Sequence, residues 1–145
     1  MRITGTIPKE DLIFVPVEFK IDKFKLEGSA DFLIDTGSTT SFINESVVRK
    51  IKLDYSQLLY VGNSTGVGGE AEMYEIEGFT RLFFEAGNER KECPRKNFRA
   101  MKHNFCEHIP LDVQGKVLAL EGILGMDVIK GWRLAIAGSN YTLEV

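Results

Sequence analysis

No apolar run in this 145-residue chain is long enough to cross a membrane, only two cysteines are present, and the formal net charge at pH 7 is just −3. The first absence excludes a transmembrane helix. The opening Met1-Arg2-Ile3-Thr4-Gly5 lacks the apolar stretch of a secretory signal peptide. Cys93 and Cys106 could pair in principle, but two cysteines without an export signal are expected to stay reduced, with the protein in the cytoplasm. A small net charge of mixed sign calls for neither a nucleic-acid nor a membrane partner. Internal repeats and low-complexity linkers are also missing. The length then predicts a single domain over residues 1–145, large enough to bury its own core.

What the chain does have is a succession of strand signals. Ile13 to Ile21 is apolar and then alternates, and Pro16 within it predicts an edge or a bulge. Phe24-Lys25-Leu26 alternates before Gly28-Ser29, and Ser41-Phe42-Ile43 reads as a short strand. A brief helix is expected from Asn44-Glu45-Ser46 through Lys50, with Asn44 as its cap. Leu58 to Gly62 and Ala71 to Ile76 read as the arms of one hairpin. Arg81 to Phe84 and Arg90 to Cys93, joined through Gly87-Asn88, read as a second. Val117 to Leu120 continues the strand signals, a turn of helix follows at Asp127 to Lys130, and Leu134 to Ile136 and Tyr141 to Val145 close the chain. The fold class expected is all-β with one or two short helices.

The most informative stretch is Phe32-Leu33-Ile34-Asp35-Thr36-Gly37-Ser38. Three apolar residues before a glycine turn predict a strand buried on both faces, ending in a carboxylate carried into the interior. Such a carboxylate is costly to ionise unless it is hydrogen-bonded or kept protonated. Thr36 and Gly37 offer a hydroxyl and a bare backbone to hold it. The chemistry that fits is activation of water by two carboxylates that share one proton. The charged member takes a proton from water, and the neutral one donates to the scissile carbonyl. The chain has one Asp-Thr-Gly, and its six other aspartates (Asp11, Asp22, Asp31, Asp54, Asp112 and Asp127) lack that setting. The second carboxylate is therefore expected from another copy of the chain, across a twofold axis.

Three segments, in order, resemble the retropepsin-like aspartic proteases, single-domain dimeric relatives of the two-lobed pepsins. Leu33-Ile34-Asp35-Thr36-Gly37-Ser38 resembles the catalytic loop, with serine after the glycine as in pepsin-like members. Thr65-Gly66-Val67-Gly68-Gly69 resembles the glycine-rich tip of the flap hairpin. Gly122-Ile123-Leu124-Gly125-Met126-Asp127 resembles the apolar-apolar-Gly segment beneath the catalytic loop. The resemblance spans about Ile13 to Val145. It implies an acid-protease β-barrel with a flap and a homodimeric endopeptidase acting on peptides or unfolded protein, without metal or cofactor. It also implies that Asp35, Thr36 and Gly37 are catalytic and that Thr36 hydrogen-bonds across the dimer axis. Ser38, Gly66, Val67, Gly68 and Gly69 would contact substrate. Ile123, Leu124 and Gly125 would support the loop from below.

The chain departs from the retroviral pattern in one respect. The acidic residue two places after the motif's glycine and the arginine after the late glycine are here Thr39 and Met126, so that ion pair is lost. Asp127 is read as a helix-start residue, not as a replacement or a second catalytic acid. The same fold could serve instead as a dimeric peptide-binding module with little cleavage. The alternation at Met1 to Ile7 and Tyr141 to Val145 would allow the termini to interleave as a dimer sheet.

Other signals have plainer readings. Asp35-Thr36-Gly37 alone could be an ordinary strand-ending turn, Ser38 could face solvent, and glycines 66, 68 and 69 could only make a supple hairpin tip. Arg90, Lys91, Arg95, Lys96, Arg99 and Lys102 form a basic run best read as a solvated hairpin and loop. Cys93, His103, Cys106 and His108 are zinc-donor types, but nine, two and one intervening residues match no familiar site. Glu70, Glu72, Glu75 and Glu77 make one flap arm acidic, which would favour basic substrates. The polar stretch from Glu92 to Gly115 takes no placement from its sequence.

Overall fold

A computed structural model describes residues 1–9, 11–66, 69–105 and 108–145. The strands run β1 (Arg2–Thr6), β2 (Phe14–Ile21), β3 (Leu26–Ile34), β4 (Phe42–Ile43), β5 (Leu59–Gly66), β6 (Gly69–Ala86), β7 (Glu89–Asn104), β8 (Gly122–Leu124), β9 (Arg133–Ala137) and β10 (Asn140–Glu144). Helices α1 (Glu45–Lys50), α2 (Leu111–Ala119) and α3 (Met126–Ile129) lie between them. The chain is mostly β, as its alternation predicts.

One sheet has the order β2-β3-β8-β4-β7-β6-β5, and a further pairing of β2 with β6 closes six of these strands into a barrel. The alternation of β2 explains its place. Val15, Val17, Phe19 and Ile21 point inward and are buried, while Pro16, Glu18 and Lys20 face out. Pro16 sits opposite Asp31 of β3, and only Glu18–Ile21 of β2 pair with β6, so the proline lies where the strand is locally an edge. β3 is longer than its alternating start suggests, because Gly28 lets it continue. A Cβ there would stand 2.8 Å from both the Phe19 ring and the Ile51 side chain.

The core unites Phe19, Phe32, Ile43, Ile76, Leu82, Phe84 and Leu124 inside the barrel with Leu143 of the second sheet. That second sheet has the order β1-β10-β9, with Ile3 opposite Leu143 and Thr142 opposite Ala135. The two terminal segments thus pair with each other within one chain. The Tyr141 hydroxyl donates to the Phe14 carbonyl at 2.9 Å and ties this sheet to the barrel.

The Glu92–Gly115 stretch resolves into two elements. β7 extends the second hairpin to sixteen residues, and α2 begins at Leu111. Val117 to Ala119, strand-like in sequence, belong to α2. The reason is tertiary: the amide of buried Asn44 donates to the Leu120 carbonyl just past the helix and to the Val117 carbonyl, which also takes the Leu120 N–H, and so anchors the end of α2. Asn44 precedes α1 as expected, but its side chain makes no cap there. β5 and β6 form the expected hairpin, paired up to Gly66 opposite Gly69. Val67 and Gly68, the expected tip, lie outside the described residues. No helix among the described residues is long and apolar enough to cross a membrane.

Candidate functional site

Asp35 follows β3 directly, and its position is set by parallel pairing of β3 with β8, which places Leu33 beside Ile123 and Ile34 beside Leu124. The Asp35 amide continues the ladder by donating to the Leu124 carbonyl at 3.0 Å. Beyond it the chain turns, and Ser38 N–H donates to Asp35 O at 3.2 Å. The Gly37 amide donates to Asp35 Oδ1 at 2.9 Å, the contact that an Asp-x-Gly turn makes available.

The carboxylate is not in the interior, contrary to the expectation. Phe32 is fully buried, but Leu33, Ile34 and Asp35 are half-buried and Thr36 and Gly37 exposed. β3 leaves the core at its C-terminal end, so the loop stands at the surface of the single chain. It is the Gly37 amide that holds the carboxylate, while Thr36 is exposed. Ser38 does not reach Asp35 either: its hydroxyl donates to the Thr40 carbonyl at 2.8 Å.

The floor of the loop is built as its apolar-apolar-Gly sequence suggests. Leu124 is fully buried, and Ile123 packs against the cluster of Phe42, Ala71 and Met101. A Cβ on Gly125 would stand 2.7 Å from the Ser38 carbonyl oxygen and 2.9 Å from that of Thr40, so only glycine allows this approach. Met126 N–H then donates to Ser38 O at 2.8 Å.

A group that the sequence did not single out completes this floor. Ser41, 1% exposed, accepts the Gly125 amide at 2.8 Å and donates to Asp127 Oδ1 at 2.6 Å. The other oxygen of Asp127 lies 3.8 Å from the Arg95 guanidinium on β7. Asp127 is indeed in the first turn of α3. It also joins that helix to the loop through Ser41. The only local signal was the run of small polar residues from Ser38 to Ser41.

Part of the charge in the rival signals is paired within the chain, across β6/β7 and to neighbouring elements. Arg99 faces Glu75 at 3.7 Å, Arg90 reaches Glu18 at 3.1 Å, and Glu77 takes Lys23 at 2.9 Å. The Tyr74 hydroxyl donates to Glu72 at 2.8 Å and holds that carboxyl below its usual range. Glu75 and Glu77 of the acidic arm are thus paired within the chain, while Glu72 keeps its charge. His103 lies 2.6 Å from Asn44 Oδ1, and burial pushes its pKa down against the opposing charge of Glu45. No group of three metal-donor side chains occurs among the described residues. Cys106, one member of the zinc-donor set, is outside them.

Beside the loop, an apolar cavity of about 190 Å³ is lined by Ile34, Thr36, Met126, Ile129, Trp132 and Leu134.

Comparison with known proteins gives a family and a fold. A family model described as "Aspartyl protease" matches residues 17–128. No curated protein sequence matches the chain. Among solved structures, a retropepsin-like aspartic protease from Rickettsia conorii is similar over 98% of both chains, with 16% identity and a TM-score of 0.56. The EIAV protease in an inhibitor complex is 18% identical over 91% of this chain and 100% of its own, at a TM-score of 0.48. The retroviral protease-like domain of Ddi1 from Leishmania major is 16% identical over 88% of this chain and 82% of its own, at 0.47.

Proposed function

The chain belongs to the aspartyl protease family, and from that premise we propose that residues 1–145 form one domain of a homodimeric aspartic endopeptidase. The observation that carries this reading is the Asp35 loop: a half-exposed carboxylate, held at one oxygen by the Gly37 amide and braced by Leu124 and Gly125.

In this mechanism Asp35 of one copy, ionised, takes a proton from a water whose oxygen attacks the peptide carbonyl carbon. Asp35 of the partner copy, protonated, gives its proton to the carbonyl oxygen. The tetrahedral diol collapses as the amide nitrogen gains a proton and the C–N bond breaks, and the pair again holds one proton. Thr36 joins the two loops across the axis. Ser38 and the flap residues Gly66, Val67, Gly68 and Gly69 line the substrate, which lies extended and adds main-chain hydrogen bonds as a strand does. Ile123, Leu124 and Gly125 keep the loop at its height. Sharing of one proton favours activity on the acidic side.

Purified protein incubated with an unfolded protein mixture from pH 3 to 7 tests the reading. Cleavage that is lost in Asp35→Asn and blocked by a statine-type mimic of the diol is the expected result. A folded dimer that cuts nothing at any pH would instead be a peptide-binding module.

A further inference from the structure

Three strands have one side unpaired along their whole length among the described residues: β1, β5 and β9. Free edges invite pairing with another chain, and proteins ordinarily blunt them with charge, proline or a bulge. The β5 edge carries exposed Leu59 and Tyr60 but is broken by a bulge between Tyr60 and Gly62. The β1 edge exposes Arg2, Thr4 and Thr6, with Arg2 held by Glu144 at 3.1 Å. β9 has neither a proline nor a bulge. Its sequence is Arg-Leu-Ala-Ile-Ala, every residue is exposed, and Ile136 is 58% exposed. One charge, Arg133, stands at its start.

Position then separates β9 from the other two. Leu134 lines the same apolar cavity as Thr36, Ile34 and Met126, so the β9 edge runs into the loop that carries Asp35. The β5 edge is separated from β3 by β6, β7, β4 and β8 in the sheet order. A surface that must bring a second Asp35 to the first has to reach this loop.

We propose that β9 is the dimer seam: two copies pair antiparallel along β9 about a twofold axis at Ala135. The inference rests on the homodimeric reading above and specifies where the partner sits. The register follows from symmetry, because an isologous contact must match each residue to its mirror in the strand. Ala135 faces Ala135 of the partner copy, Leu134 faces the partner's Ile136, and Arg133 faces the partner's Ala137. The two arginines are thus kept at opposite ends, and no like charges meet. Leu134 and Ile136 share one face of the strand, opposite buried Leu143 and Tyr141. Four apolar side chains therefore close over the axis on the side of the core. The two three-stranded sheets become one six-stranded sheet, and the cavities beside Thr36 meet beneath it. This differs from terminal interleaving, since β1 and β10 are already paired within each chain.

The test combines sedimentation, cross-linking and proteolysis on the full chain. Directly opposed antiparallel residues have Cα atoms about 4.5–5.5 Å apart, within disulfide range. In a background with Cys93 and Cys106 changed to serine, Ala135→Cys should give a disulfide-linked dimer when reductant is removed. The unmodified chain should sediment at twice its mass at micromolar concentration. Ile136→Lys, which acts twice in each dimer, should raise the dissociation constant at least about 100-fold. Leu59→Lys on β5 should leave it unchanged.

A chain that is monomeric throughout, or a dimer indifferent to Ile136→Lys and unlinked through Ala135→Cys, overturns the seam. A linked dimer that cleaves no peptide leaves the seam standing and removes the protease reading. Cleavage by a dimer that Leu59→Lys dissolves does the reverse.

Discussion

Ser41 takes the Gly125 amide and gives its own proton to Asp127, and both partners are left short when the hydroxyl is removed. A buried donor without an acceptor costs about 1–3 kcal/mol, so Ser41→Ala is expected to lower the unfolding free energy by that amount in urea titration. Because Ser41 lies under the loop and touches no substrate, its loss should also lower kcat more than it raises KM. Gly125→Ala tests the same floor from the steric side. Its Cβ would meet backbone oxygen, which cannot swing away as a side chain can, and overpacking of this kind costs about 1–3 kcal/mol. Asp35→Asn should behave differently. The residue is half-exposed and accepts a single local bond, so activity should vanish while the melting temperature stays nearly unchanged.

Among the elements, α2 depends most on a single side chain. Asn44 holds two of its terminal carbonyls and meets His103 of β7, while Glu45 accepts the His103 amide at 2.9 Å. Asn44→Ala should therefore speed amide exchange in α2 well before it affects the barrel. His103 adds a dependence on pH. Burial lowers its pKa in the folded chain from the ordinary 6.5, so the unfolded chain binds the proton first as pH falls. Its contribution to stability is full above about pH 6.5 and is lost as the pH drops from there towards the folded value. Thermal melts from pH 8 to 5 should show this decline, and His103→Gln should flatten it. The β6/β7 hairpin is a contrasting case. Its Arg90–Glu85 pair is exposed and worth about 0–1 kcal/mol, so removing the Glu85 charge should be close to neutral.

At the scale of the whole molecule, the proposed reaction would be tied to association, because the chain has one Asp-Thr-Gly. Activity per chain should fall on dilution, in proportion to the chain concentration once that is well below the dissociation constant, and the covalently linked Ala135→Cys dimer should be immune. A second feature of the whole is the balance of its surface charge. The basic run of β7 lies on the same sheet as its acidic partners, and the chain as a whole is slightly acidic. Binding to nucleic acid at physiological salt should therefore be undetectable by gel shift.

Local pattern was enough to reveal many of the strands, though not Glu92 to Asn104 of β7, together with the turn at Asp35 and the glycine beneath it. Alternation of side chains dictates which face of β2 is buried, and an Asp-x-Gly turn supplies its own hydrogen bond from within three residues. These are short-range effects, and a sequence carries them in adjacent letters. Contacts between distant positions were not legible in that way. Val117 to Ala119 are helical because Asn44, far back in the chain, satisfies the end of α2. Ser41 gained its role from Gly125 and Asp127, more than eighty positions away. The carboxylate expected in the interior stands at the surface because the barrel ends where β3 ends, which the apolar run before Asp35 could not disclose. The pairing of the two chain ends, and with it the free edge of β9, was likewise decided by packing: one buried leucine, Leu143, seats β10 between β1 and β9.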